Sequence, residues 1–183
     1  MAATRYLALL RGINVGGRNK VAMADLRGVF EQHGHSNVST YIQSGNVIFE
    51  SDVARDSLES AVESMLETDL GLPIVVVVRS HAQLRNVVAK APDDFGNRPD
   101  EYHSDVVFLK APLTPRRTMS VVQLRDGVDQ AWAGAGVIYF QRLSARRTQS
   151  KLSKLASTPE YSLMTIRSWR TTTRLLEILD GDR

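Results

Sequence analysis

The sequence contains no cysteine, few aromatic residues and no apolar run long enough to cross a membrane. Without cysteine there is no disulfide, no thiol nucleophile and no thiolate metal ligand, which agrees with a reducing compartment. The apolar stretches are far shorter than the roughly 20 residues that a membrane-spanning helix needs. The one nearest the N-terminus is also too short for a secretory signal. We therefore predict a cytoplasmic protein with no membrane partner.

The composition that remains is typical of a globular protein. The 183 residues are 43% hydrophobic and 23% charged, enough for one large or two small domains. The formal net charge is +3, and arginines gather in the C-terminal third of the chain. A mildly basic balance favours polyanionic partners, although a solvated surface explains it equally well.

Hydrophobic periodicity divides the first half into alternating strands and helices. Gly34 and Gly71 follow the two long helical patterns and predict their C-terminal ends, and Gly45 predicts a tight turn between two strands. The predicted elements are strand 6–10, helix 23–33, strand 38–43, strand 47–49, helix 54–69, strand 73–80 and a trailing helix.

The second half repeats the order of the first. VRSHAQLRNVV (78–88) aligns with IRSWRTTTRLL (166–176), so Ser80 and Ser168 share a predicted N-cap position and Arg79 matches Arg167. The predicted elements are strand 104–110, a helical or mixed segment to about 125, a hairpin at 128–141, a helix at 148–157, strand 163–167 and a final helix.

This order predicts an α+β protein made of two ferredoxin-like β-α-β-β-α-β units that arose by internal duplication. Each unit is expected to form an antiparallel sheet with helices on one face. We place the units at 1–91 and 100–183. The proline- and aspartate-rich stretch 92–99 is the predicted connector.

The stretch RGINVGGRNK (11–20) connects the first strand to the first helix and combines glycines with cations. Glycine backbones, a helix start and nearby basic side chains together bind anions in unrelated folds. The stretch matches neither the Walker A pattern nor Gly-x-Gly-x-x-Gly. The alternative is that the glycines permit a tight crossover and the asparagines tie the loop to itself. The candidate anion-binding residues of this loop are Arg11, Asn14, Gly16, Gly17, Arg18, Asn19 and Lys20.

The turn QSGN (43–46) places Gln43, Ser44 and Asn46 at a hairpin tip, where amides and a hydroxyl can read a base edge or a sugar. Plain turn chemistry accounts for the same residues. Because the preceding loop leaves the end of the first strand, we expect the tip at the opposite end of the sheet, with the separation left open.

Basic residues near the C-terminus form the third candidate group. In the run RLSARRTQSKLSK (142–154), a helix would place Arg147, Lys151 and Lys154 on one face and turn Leu152 and Leu155 inward. This composition suits phosphate contacts but also a solvated surface. RSWRTTTR adds Arg167, Trp169 and Arg170. The tryptophan can stack on a base, but at the start of an amphipathic helix it is more often part of the core.

Other functional classes find less support in the residues. RNA-recognition modules stack bases on strand aromatics, and the positions here are Tyr6, Phe49, Tyr139 and Phe140, but the aromatic consensus is absent. His33 and His35 lack further ligands, so we predict no metal site and no cofactor. No nucleophile elbow occurs.

Three long motifs resemble the bacterial family catalogued as domain of unknown function 1697: YLALLRGINVGGRNKVAMADLR, TYIQSGNVIF and TIRSWRTTTRL. The resemblance covers essentially the whole chain and implies a duplicated ferredoxin-like fold, with no established activity. It also implies that Gly12 and Gly45 belong to the family pattern, together with Arg11, Asn14, Gly16, Gly17, Asn19, Gln43, Ser44 and Asn46. The family commonly has Asn-Trp-Asn-Thr where this chain has Ser168-Trp169-Arg170-Thr171.

Three functions remain open from the sequence. The favoured one is a phosphate- or polyanion-binding module, for nucleic acid or a nucleotide, that uses the loop at 11–20 and the C-terminal arginines. The second is an enzyme acting on a nucleotide or sugar phosphate at the same loop, since positioning and charge suffice for much of phosphoryl transfer. The third is a protein-interaction scaffold. The sequence leaves open whether the protein is an enzyme.

Overall fold

The computed structural model describes residues 3–181, which form two compact units. The first unit runs to Leu84 and resumes at Glu177, and the second comprises Arg85–Leu176. Both chain crossings between units therefore fall inside helices.

The protein is α+β, with two four-stranded antiparallel sheets and helices. The elements are β1 (Thr4–Leu10), α1 (Met23–Gln32), β2 (Ser36–Tyr41), β3 (Asn46–Ser51), α2 (Arg55–Leu70), β4 (Val76–Ser80), α3 (His81–Ala89), β5 (Tyr102–Leu109), α4 (Pro115–Met119), β6 (Asp129–Gly134), β7 (Val137–Leu143), β8 (Met164–Ser168) and α5 (Trp169–Asp180). Three short 3-10 helices lie between β7 and β8, at Ser144–Gln149, Leu152–Ser157 and Pro159–Leu163.

The first sheet has the order β2-β3-β1-β4, with β1 in the centre and every pair antiparallel. Alternate residues of β1 such as Ala8 and Leu10 pack with Leu26 and Phe30 of α1 and with apolar residues of α2. The opposite face of β1 is also fully buried at Leu7 and Leu9. Each such side chain contributes about 1.5–3 kcal/mol by leaving water, so β1 is the core of this unit.

The second sheet has the order β6-β7-β5-β8, again antiparallel throughout. Val107 and Phe140 pack with Leu152 and Leu155 from the 3-10 segment. On the other face Tyr139 is 1% exposed, and its hydroxyl donates to the Val87 carbonyl at 2.6 Å. Burial raises the pKa of the Tyr139 hydroxyl, which remains a donor at neutral pH.

The predicted helix ends are confirmed by the local geometry. Gly71 is left-handed (φ 63°) and caps α2. Ser80 Oγ accepts from the Gln83 backbone N–H at 3.2 Å while Gln83 Oε1 accepts from the Ser80 N–H at 2.9 Å, which is a capping box. Ser168 Oγ accepts from the Thr171 N–H at 3.2 Å. Both serines therefore occupy the predicted N-cap positions.

The helix predicted at 148–157 is wrong. This stretch contains 3-10 turns instead of an α-helix, and Ser150 interrupts them in an extended conformation (ψ 143°). The buried residues were identified correctly, since Leu152 and Leu155 are 9% and 4% exposed. A spacing of three residues suits a 3-10 helix as well as an α-helix, so the apolar pattern alone does not distinguish them.

Between residues 3 and 181, every helix is too short or too polar to traverse a bilayer.

Candidate functional site

The loop between β1 and α1 contains a tight turn at Val15–Arg18. The Arg18 N–H donates to the Val15 carbonyl at 3.0 Å, and both central residues have positive φ, 58° at Gly16 and 77° at Gly17. Positive φ at both positions is the mark of a type I′ turn, which glycine adopts without steric cost. The two glycines therefore have a conformational role in the loop.

Asn14 and Asn19 hold the loop in shape, as the structural alternative predicts. Asn14 Nδ2 donates to the Val21 carbonyl at 3.1 Å and the Gln43 carbonyl at 2.9 Å, while its Oδ1 accepts from the Val21 N–H at 2.9 Å. Asn19 Nδ2 donates to the Gly12 carbonyl at 3.1 Å. Because these amides are already engaged, they position the loop and leave ligand contacts to other groups.

The hairpin tip lies beside this loop, so the expectation of opposite ends is wrong. The Leu10 N–H donates to the Gly45 carbonyl at 2.8 Å, and Asn14 bonds to Gln43. The tip lies beside the loop because β3 is antiparallel to β1 and begins at the end of the sheet where β1 ends, with Leu9 opposite Asn46.

The residues of the tip differ in accessibility. Asn46 is fully buried, and its Nδ2 donates to the Tyr41 carbonyl at 3.0 Å and to Ser44 Oγ at 3.1 Å. Ser44 is half-buried, whereas Gln43 is exposed. Among residues 3–181 the Gln43 side-chain amide has no hydrogen-bond partner. Gln43 is therefore the member of this motif that can reach a ligand.

Loop and tip enclose a surface cleft of about 440 Å³, which we call the loop cleft. It is lined by Asn14, Gly17, Lys20, Val21, Ala22 and Gln43. Lys20 is exposed and forms no ion pair within the part of the chain that the structure describes. Arg18 is exposed in the adjacent turn, while Arg11 is half-buried and its N–H donates to the Val75 carbonyl at 3.0 Å.

The cleft extends to the N-cap residue of α1, Ala22. Ala22 has no side chain that can accept a hydrogen bond. In the described chain the N–H groups of Met23, Ala24 and Asp25 therefore lack an acceptor. These groups carry the partial positive charge of the helix start. The Asp25 side chain, in the first turn, supplies an opposing negative charge.

The predicted C-terminal cations lie in the second unit and have different surroundings. Arg147 and Arg170 are exposed, and Lys151 is half-buried with its backbone N–H on Asp129 Oδ2 at 2.8 Å. Arg167 is 8% exposed and donates to Thr165 Oγ1 at 2.8 Å and the Ile166 carbonyl at 2.9 Å. Burial lowers the pKa of Arg167 to about 10, so it stays protonated at neutral pH.

The four strand aromatics considered from the sequence are too buried to stack on a base. Tyr6 is 6% exposed, Phe49 0%, and Tyr139 and Phe140 1% each. Trp169 is half-buried, with its ring perpendicular to Phe95 at a centroid distance of 5.1 Å. The tryptophan is therefore partly packed in the core, as expected, and partly exposed.

The histidine pair also has structural roles. His33 Nε2 lies 2.6 Å from Asp69 Oδ2, and His35 is buried against Phe30 and Phe49. Burial lowers the pKa of His35, helped by the charge of His33 and opposed by Asp52. The neutral imidazole is thus the favoured form of His35.

A second cleft, of about 610 Å³, lies within the second unit and was not anticipated from the sequence. Its walls come from residues 96–104 and 168–173, which are distant along the chain. Only Trp169 and Arg170 carried a signal, as an aromatic and a cation adjacent in sequence.

A family model described as a protein of unknown function, DUF1697, matches residues 3–139. The structure is similar to that of the conserved bacterial protein SP0830 from Streptococcus pneumoniae. The TM-score is 0.86 and the sequence identity 27%, over 97% of this chain and 99% of that chain. No curated protein matches the sequence.

Proposed function

The chain belongs to the DUF1697 family of proteins of unknown function, and from the geometry of the loop cleft we propose that the protein binds a phosphoryl group there. The ligand class is a nucleotide or a nucleic acid. The observation that carries this proposal is the meeting of Lys20 with the uncapped start of α1 in one cleft.

The groups in the loop cleft are complementary to a phosphate. Lys20 and the N-cap residue of α1, Ala22, both line it, and a helix N-terminus with a nearby cation is a recurrent anion site. The Gln43 amide can add a neutral donor at the rim. The hydrogen bonds of Asn14 stabilise the walls before any ligand arrives, so less ordering is needed on binding.

The fold itself is proposed to be a duplicated ferredoxin-like unit. The equivalence of strand pairing supports it: Leu7 is opposite Arg79 in the first sheet as Val106 is opposite Arg167 in the second. The loops agree as well. The Leu10 N–H donates to Gly45 and the Leu109 N–H to Gly136, at 2.8 and 3.1 Å.

A comparison of the two copies supports placing the proposed site in the first. The connection after β5 contains Pro112 and leads into Pro115, the first residue of α4, where the first copy has glycines, and α4 is only five residues long. The second copy accordingly has no counterpart of the Gly16-Gly17 turn. This difference supports placing the proposed site in the first copy.

The test compares Lys20→Gln with Lys90→Gln, an exposed lysine without an ion pair in the described chain. The probes are pyrophosphate, AMP and a ten-nucleotide RNA, each titrated at low salt with amide chemical shifts as the readout. We expect Lys20→Gln to weaken pyrophosphate binding about tenfold, as for the loss of one charged hydrogen bond. Lys90→Gln should bind like the wild type, with shifts centred on Gly16, Gly17 and Met23.

The salt dependence separates the two ligand classes. Nucleic acid would bind with an affinity that falls steeply with salt and rises with length, whereas a nucleotide site would saturate with AMP alone. Absence of saturable binding of all three probes would overturn the proposal. So would an equal loss of affinity in both lysine variants.

A further inference from the structure

The cleft of the second unit, which we call the Trp169 cleft, combines aromatic and polar walls. At about 610 Å³ it has the size of small-molecule sites. Its lining consists of Gly96, Pro99, Tyr102, His103, Ser104, Ser168, Trp169, Arg170 and Thr173. Such a mixture suits a ligand with a flat apolar body and a polar end.

The aromatic side of the cleft is held rigidly. The Trp169 ring is fixed by the perpendicular Phe95 ring, and Phe95 is itself 3% exposed and packed on Tyr139 at 5.3 Å. Gly96 lies directly against the indole, so that any Cβ at this position would overlap the ring. The indole therefore has one supported side and is oriented without a ligand.

The Tyr102 ring is also held by a neighbouring side chain. The Arg98 guanidinium lies 4.8 Å from the centroid of the Tyr102 ring, a cation–π distance, and Arg98 also bonds to Glu101 at 3.1 Å. Arg98 is thus engaged with its own neighbours. Tyr102 and Trp169 together offer planar surfaces to a planar ligand.

The charge of the cleft depends mainly on Arg170. This side chain is exposed and has no acidic partner among residues 3–181. Asp105, two residues beyond the cleft residue His103, is 6% exposed and lies 3.2 Å from Arg142 Nη2 and 3.7 Å from His103 Nε2. Because Arg142 compensates Asp105, the cation of Arg170 remains for a ligand.

From these observations we infer that the Trp169 cleft binds a small planar aromatic anion: its ring lies on Trp169 and Tyr102, and its carboxylate or phosphate meets Arg170. The inference does not depend on phosphate binding at the loop cleft, since the residues and the unit differ.

The test uses two pairs of probes, which differ within each pair only in the charged group. They are 1-naphthoate with 1-naphthamide and AMP with adenosine, and the two pairs separate aromatic carboxylates from nucleotides. The readout is the indole N–H signal of Trp169 in nitrogen-15 spectra, assigned by Trp132→Phe. We expect a saturable shift of this signal, with the anion of at least one pair binding about tenfold more tightly than its neutral partner.

Arg170→Gln is the decisive variant, and Arg116→Gln is its matched control, an exposed arginine of the same unit with no ion pair in the described chain. Arg170→Gln should abolish the preference for the anion, whereas Arg116→Gln should retain it. Both positions are exposed, and unfolding curves check that both variants fold.

Three results would overturn the inference. They are an unmoved Trp169 indole signal with all four probes at millimolar concentration, equal affinity of anion and neutral partner, and an anion preference that survives Arg170→Gln. A response of Trp169 to the ten-nucleotide RNA alone would likewise replace it with a nucleic-acid contact. Lys20→Gln should leave naphthoate binding unchanged, so failure here and failure at the loop cleft are distinguishable.

Discussion

The backbone conformation of a few single residues determines the shape of the loop cleft. Gly16 and Gly17 have left-handed backbones, as does Asn14 (φ 53°), a residue type that tolerates this region. The sequence motif RGINVGGRNK therefore combines two requirements, that of a backbone turn and that of the proposed anion site. The first requirement is visible in the hydrogen bonds of Asn14 and Asn19.

Gly45 illustrates a steric requirement at the residue scale. Its φ is +80°, and a Cβ there would lie 2.7 Å from Ile13 Cδ1 and 2.9 Å from Leu10 Cβ. Gly34 has nearly the same φ, +83°, with no atom within 4 Å of such a Cβ. Both Gly→Ala changes introduce backbone strain, but only Gly45→Ala also overpacks the core.

We expect Gly34→Ala to cost about 1 kcal/mol in unfolding free energy and Gly45→Ala about 1–3 kcal/mol more. Urea unfolding of both variants measures the difference. Equal losses of unfolding free energy in the two variants would show that Ile13 moves aside without cost, and that packing at Gly45 is not tight.

At the scale of elements, the sequence predicted the helices and strands that can be identified from their own apolar pattern. The apolar positions of α2 and the continuous β1 stretch identify a helix and a strand without knowledge of their neighbours. The secondary structure from 144 to 163 was harder to predict, because the spacing of Leu152 and Leu155 fits both an α-helix and a 3-10 helix. The Trp169 cleft was harder still, since its walls are about 70 residues apart in sequence.

Asp129 anchors this 3-10 segment. Its Oδ2 accepts from the Arg125 N–H at 2.9 Å and from the Lys151 N–H at 2.8 Å, and the side chain is 6% exposed. Asp129→Ala removes both bonds and leaves two backbone donors without this acceptor. We expect a loss of about 2–3 kcal/mol in unfolding free energy, because each bond to a charged group contributes roughly 1–3 kcal/mol.

The control is Asp126→Ala, at an exposed position with no hydrogen bond or ion pair in the described chain, which should change stability by under about 0.5 kcal/mol. Hydrogen exchange locates the effect. If Asp129→Ala left the protection of Leu152 and Leu155 unchanged, the segment would be held by its leucines alone.

At the scale of the whole molecule, the chain leaves the first unit within α3 and re-enters it within α5. The last turn of α5 is part of the first unit's structure. Arg5 Nη1 donates to the Leu179 carbonyl at 2.5 Å, His81 Nε2 lies 2.6 Å from Asp180 Oδ1, and Leu179 is 1% exposed.

Leu179→Ala should therefore destabilise the first unit, by about 2–4 kcal/mol as for other buried leucines. Hydrogen exchange should show a greater loss of protection in β1 than in β5. Leu124→Ala, at a position 41% exposed, is the control and should have little effect. A loss confined to β5 would contradict the assignment of Leu179 to the first unit.

The return of α5 to the first unit also matters for the order of folding during translation. A ribosome delivers β1 before the second unit and the residues around Leu179 after it, so the first unit cannot complete its structure until the second unit has been synthesised. The second unit, Arg85–Leu176, is delivered without interruption and is the one that can fold while synthesis continues. Of the two units, the one whose synthesis begins earlier is therefore the one completed later.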